Sequence, residues 1–384
     1  MNAPPPLLAL LGASWELGAP VVSLAWDVRG SAVGFALGDG HLAVVDVHWK
    51  SGPRVEPKAD GGVTLLPAEA PAPVPVRVAC HPGSCLALAA DASGGFLTGG
   101  DDGRVVQVPG RGDPSVRAHR PEVWIDALAA SRKGAHAHAG GRLVHRVNGN
   151  GSGSGEDCIE LPAPATALAF SGDGRCLAAA HHGGVTLWPE TGLPRRLACK
   201  GYPRALAWSP DAKYIVCGLQ ENALHGWRVA DGGAIEMGGY PGQPLSLSFS
   251  HDGRYLATSG GTRPVCWGFD PPGGADQPVE CGIPSNTPVS CLSCHPKQSL
   301  IAVGYHNGAV VLSQPGSDEG LFVKGSGGGA VNALVWAGDG SRLAFGTQDG
   351  AFGWLGLPGA LFRSGAGGAS NKPAMKPPTK ETMQ

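Results

Sequence analysis

Small and apolar positions along this chain fall into one recurring pattern: small, Leu, small, then an aromatic or small residue. It reads SLAW (23–26), ALAA (87–90), ALAA (127–130), ALAF (167–170), ALAW (205–208), SLSF (246–249), CLSC (291–294) and ALVW (333–336). After most copies stands a polar turn, such as SGDG (171–174), SPDA (209–212), SHDG (250–253) or AGDG (337–340). A short apolar run follows (RYLATSGG, YIVCGLQ, LIAVGYHNG, RLAFGTQDG). A second turn then often ends in Gly, as in GDG (38–40), DDG (101–103), HNG (306–308) and QDG (348–350). A third run (GVTLW, ALHGW, PVCWG, AVVLS, AFGWL) closes the unit. Asp-Gly and Asn-Gly between alternating apolar runs are the strongest short-range hairpin signal. Each unit is therefore expected to be a meander of three strands plus a weaker fourth, and the chain to be all-β.

The leucines of the pattern are Leu24, Leu88, Leu128, Leu168, Leu206, Leu247, Leu292 and Leu334. Six of the seven intervals between them lie near the period of a β-propeller blade, about 40–45 residues. Over roughly residues 19 to 357 the chain resembles a WD-repeat β-propeller of a degenerate, bacterial type. Two features of that family are largely missing. The Trp-Asp pair that ends the third strand reads Trp188-Pro189, Trp227-Arg228, Trp267-Gly268 and Trp354-Leu355, and the Gly-His pair before the inner strand survives only as echoes at His81 and His119. The resemblance implies a ring of four-stranded antiparallel blades. Eight are counted, with seven as the alternative.

The interval from Leu24 to Leu88 is long enough for a blade plus an insertion, and the proline-rich residues 53–76 supply it as a surface excursion. No good fourth strand follows the last third run. An N-terminal strand within 1–18 is expected to close the last blade, and LLALLGA (7–13) is assigned to it. The propeller then spans 19–361. Residues 362–384 are Gly-, Pro- and Lys-rich and are expected to be a disordered tail. NGNGSGSGE (148–156) is expected to be a flexible loop between the third and fourth blades.

Gly (62) and Pro (34) make up a quarter of the 384 residues, charged residues are 16%, and the formal net charge is −2. Such a charge argues against a nucleic-acid or membrane-surface binder, which needs a basic field. The first 20 residues make a poor export signal, and no apolar run is long enough to span a membrane. A cytoplasmic protein with mostly reduced cysteines is expected. Cys291-Leu-Ser-Cys294-His295 matches the attachment pattern of a c-type haem. However, CLSC occupies the inner-strand register, where residues three apart point to opposite faces. The haem reading is set aside on that ground.

A propeller's function lies in its rim loops. The WD-repeat resemblance implies that the rim carrying the turns between second and third strands is the partner-binding face. Those turns place Asp101, Asp102, His181, His182, Gln220, Glu221, Tyr305, His306, Gln348 and Asp349 there. The loops leading into the inner strands add Trp124, Tyr202, Arg204, Gln243 and Asn286. Trp, Tyr and Arg are the usual hot-spot residues of interfaces. The inner-strand aromatics (Trp26, Trp208, Trp336, Phe170, Phe249) and the third-strand tryptophans repeat at the blade period and read as core. His136 and His138, with His145 nearby, offer the start of a metal site but no matching second pair at fixed spacing. No catalytic motif stands out. The expected function is a non-catalytic, monomeric scaffold that docks a protein or peptide, with no metal and no cofactor. The alternative is a hydrolase- or lactonase-like propeller with a metal or acidic site in the central channel.

Overall fold

The computed structural model describes residues 5–58, 62–149, 155–270, 274–275 and 278–362. Eight antiparallel sheets form a closed ring, so the protein is an eight-bladed β-propeller. The inner strands of blades 1 to 8 are Val21–Trp26, Cys85–Ala90, Ala127–Ala130, Ala165–Phe170, Pro203–Trp208, Leu247–Phe249, Val289–Cys294 and Val331–Trp336. Every one contains a leucine of the repeat.

The turn chemistry repeats as well. In blades 4, 5 and 6 the first turn is locked by Ser171, Ser209 and Ser250. Each hydroxyl donates to the Asp two residues on, at 2.6, 2.7 and 2.7 Å, and accepts the backbone N–H five residues on. Gly174 and Gly253 complete two of these turns at φ +69° and +72°, while Ala212 holds the same left-handed place in the third at φ +56°.

The inner edge of each sheet faces the channel, and three tryptophans staple neighbouring edges together. Trp26, Trp208 and Trp336 donate their indole N–H to the carbonyls of Val335, Ala169 and Ser293, at 3.0, 3.1 and 3.0 Å. Each acceptor is the third residue of the four-residue pattern in the preceding blade. Buried tryptophans need a partner for the N–H, and open carbonyls need a donor. The repeat thus satisfies both at one register. Trp188, Trp227, Trp267 and Trp354 are buried between blades, as their spacing predicts. Blade 2 carries a buried hydrogen-bonded chain: His81 contacts Asp102 through Nδ1 at 2.9 Å and Thr98 through Nε2 at 2.9 Å.

The ring closes through the N-terminus, but of LLALLGA only Gly12 and Ala13 enter the closing strand. Leu7–Leu11 is a short helix, and the closing strand is Gly12–Glu16, antiparallel to Ala351–Gly356. A short leucine run carries no period that separates helix from strand. In the next five residues Trp15 packs on Phe352, with ring centroids 5.8 Å apart. Two further assignments need correction. The run 148–156 joins the third and fourth strands within blade 3, Leu143–Val147 and Glu156–Glu160, rather than two blades. The insertion lies within blade 1, between its third strand His41–Asp46 and its fourth strand Val76–Ala79, and is not all loop, since Arg54–Pro57 and Val63–Leu66 pair as a hairpin. The tail beyond Phe362 lies outside the described residues.

The CLSC motif behaves as inner strand. Cys291 packs between blades 7 and 8, and Cys294 between blades 6 and 7. Burial pushes both thiols up to about 12. His295 is buried, with Nε2 3.0 Å from the Gly340 carbonyl. Two cysteines on opposite faces cannot reach one porphyrin.

Candidate functional site

In six blades the pairing of inner and second strand slips by one residue at the same place. The residues left over are Val22, Leu86, Thr166, Arg204, Ser290 and Asn332. Each stands two residues before the repeat leucine; Asp126 and Leu245 hold that position in blades 3 and 6. A β-bulge frees a side chain from the ladder and re-aims it. The same position thus recurs at the entry end of all eight inner strands, freed by a bulge in six and lying just before the ladder in blades 3 and 6, which sets it around one mouth of the channel. Two of them reach across to the next blade: Asn332 Nδ2 donates to the Val21 carbonyl at 3.0 Å, and Thr166 Oγ1 donates to the Pro203 carbonyl at 2.7 Å. Val22, Asp126, Arg204, Leu245 and Asn332 are exposed. Although part of its surface is exposed, Asp126 has its carboxyl raised by partial desolvation; its own backbone N–H, and then the positive charge of Arg204 two blades away, partly offset this.

Of the residues expected on this rim, the structure gathers one group. Tyr202, its ring centroid 5.7 Å from that of His182, has the Arg204 guanidinium 5.9 Å from its ring, and its backbone N–H donates to Glu221 at 3.0 Å. Trp124 leads into blade 3 with 65% of its surface exposed. Gln220, Gln243, Asn286, His306, Gln348 and Asp349 are exposed on their own turns and loops. Four others belong to the framework. Tyr305 and His181 are buried, and His181 Nε2 lies 3.0 Å from Thr186 Oγ1. Asp102 is held by His81, and Asp101 is half-buried beside it. Of the bulge residues, spacing alone identifies only Arg204. The signal was present as the position two before each repeat leucine, where the chain changes chemistry from unit to unit.

The opposite mouth opens into a cavity of about 590 Å³ lined by Asp27, Arg29, Arg132, Lys297 and Asp339 among others. Its acids are turn caps: Asp27 accepts from Ser31 and Ala32, and Asp339 from Ser341.

Among the described residues, one group of His, Cys, Asp and Glu is close enough to share an ion: His138, His145 and Glu156 of blade 3. It lies between blades 2 and 3, away from the channel mouths. His136, the neighbour suggested by spacing, is not a member; it pairs with Val147. His138 instead stands opposite His145, with ring centroids 5.1 Å apart and planes 11° from parallel. Glu156 Oε1 is 3.1 Å from His145 Nδ1 and 3.7 Å from His138 Nε2. Burial, and then the His145 charge, push the His138 imidazole down to about 4. Burial also raises Glu156, but the bond and charge of Arg120, together with the charges of His145 and His138, outweigh this and hold the carboxylate below its usual range.

The sequence matches no family model and no curated protein. Among solved structures, the chain is similar to the computationally designed Ika8 protein. The TM-score is 0.65 at 15% identity, over 89% of this chain and 98% of that one. At that identity the likeness is one of fold. No helix among the described residues is long and apolar enough to cross a membrane.

Proposed function

We propose that this propeller is a non-catalytic docking platform, WD-repeat-like in use as well as in shape, that binds an extended segment of a protein partner across the bulge-lined mouth. One observation carries the reading. Framework positions repeat from blade to blade, while the position two residues before each repeat leucine, freed by a bulge in six of the blades, is Val, Leu, Asp, Thr, Arg, Leu, Ser and Asn in turn. A uniform frame that presents non-uniform chemistry suits one sequence of contacts around a ring. Exposed Trp124 and Leu245 provide apolar anchors, and Arg204 and Asp126 provide charges of both signs. The enzyme alternative finds less support, because the acids at the opposite mouth are spent on their own turns.

The test is a paired affinity capture with mass spectrometry. One bait is the intact chain; the other carries Trp124→Ala, Arg204→Glu and Leu245→Glu, with circular dichroism showing the fold intact. A partner retained by the first and lost by the second supports the platform at this mouth. Equal capture by both moves the docking face elsewhere, and no stable capture by either counts against the platform itself.

A further inference from the structure

We propose that His138, His145 and Glu156 form a binding site for one divalent transition-metal ion of the zinc class, between blades 2 and 3. The inference is independent of the docking reading.

The first argument is register. The residues facing the repeat leucine on the second strand of the other seven blades are Phe35, Thr98, Ala179, Cys217, Thr258, Val303 and Phe345. Blade 3 puts His138 there, opposite Leu128, and sets a second imidazole, His145, opposite it. The fold does not need this pair, because seven blades close without one. The buried apolar cluster between blades 2 and 3 has only three members, Leu97, Val105 and Ile125. Polar groups fill space that side chains such as Phe35 and Phe345 fill elsewhere.

The second argument is an unmet need. His138 is fully buried, yet neither ring nitrogen has a hydrogen-bond partner. Glu156 Oε1, 3.7 Å from Nε2, is beyond hydrogen-bond reach. An unpaired buried polar group costs about 1–3 kcal/mol, and an ion on Nε2 would recover one of the two. The third argument is distance. Metal–ligand bonds of about 2.0–2.1 Å in a tetrahedral site set ligand atoms about 3.3–3.4 Å apart. The separations of 3.1 and 3.7 Å bracket that value. Two imidazoles and a carboxylate form a donor set suited to zinc. Glu156 is partly exposed, which leaves the fourth position to water. Cys158 lies on the other edge of His145, 4.0 Å from Nε2, and stands outside the set.

Arg120 now bridges this space. Its guanidinium bonds to Glu156 and lies 3.3 Å from His145 Nδ1. It comes from the chain after blade 2's outer strand, Ser115–His119, so its release moves nothing in blade 3. A cation held between two of the three ligands is a competitor for the same place.

That competition gives the test a sign. The untagged full chain, stripped with a chelator, is titrated with zinc against a chromophoric indicator. One equivalent should bind to the native chain. Glu156→Gln and His145→Gln, both at partly exposed side chains, should each weaken binding at least about tenfold, the low end of what loss of even an outer-shell partner does to a metal site. Arg120→Ala should tighten it. Zinc should raise the melting midpoint of the native chain and not that of the Glu156→Gln, His145→Gln double variant. The proposal is overturned if the double variant binds zinc as tightly as the native chain, if the native chain binds none, or if Arg120→Ala weakens binding.

Discussion

Trp336 and Trp354 form a matched pair. Both belong to blade 8, and both are 5% exposed. The indole N–H of Trp336 donates to the Ser293 carbonyl at 3.0 Å, whereas the Nε1 of Trp354 is buried with no partner. Replacing either by Phe removes the same atoms and leaves a similar cavity, so the packing cost is common to both. The polar terms have opposite signs. Trp336→Phe strands a carbonyl at the channel edge, which costs about 1–3 kcal/mol. Trp354→Phe removes an orphaned N–H, which returns a similar amount. Trp336→Phe should therefore be the more destabilising by about 2–6 kcal/mol. Equilibrium urea unfolding measures this as a difference in midpoint at a shared slope. Equal losses, or a larger loss for Trp354→Phe, would refute the claim that the inner-strand tryptophans act as hydrogen-bonded staples.

Ala212 sits at φ +56° where the equivalent turns have Gly. Ala212→Gly should stabilise by about 0.5–1 kcal/mol, the left-handed strain relieved less the added unfolded-state entropy, read as a higher urea midpoint. Removing residues 1–17 should lower the unfolding midpoint of the ring as a whole and promote association, because it exposes the edge of Ala351–Gly356 with buried Phe352 and Trp354 beside it; a change confined to blade 8 by hydrogen exchange would contradict that. Burial depresses the folded-state values of His181, His225 and His295 below 6.5. Their neutral forms contribute stability that is complete above the unfolded value near 6.5 and is lost as pH falls through the lowered folded values. The melting midpoint should thus decline from pH 6.5 downward, and a midpoint that rises on acidification would count against it.

The ring was legible because one residue type at one register repeats: a leucine every blade fixes the inner strand, and the turns and tryptophans then fall into place around it. What stayed hidden follows from the same geometry. A one-residue displacement along a strand turns a side chain to the other face, and this is why Tyr305 and His181, assigned to turns by position, prove to be the last residues of second strands with their rings inside. The ion-sized cluster was hidden for a related reason. Alternation along one strand pointed to His136 beside His138, but ligands also converge across strands, and cross-strand partners are set by register rather than by sequence distance. Glu156 was harder still, because it ends a Gly- and Ser-rich run that reads as loop, although it opens the outer strand of blade 3. Both candidate sites are found by subtraction. Once the register of one blade is known, the same position can be read in all eight. The bulge ring and the His138–His145–Glu156 cluster are the places where this chain spends residues that the repeating frame does not require.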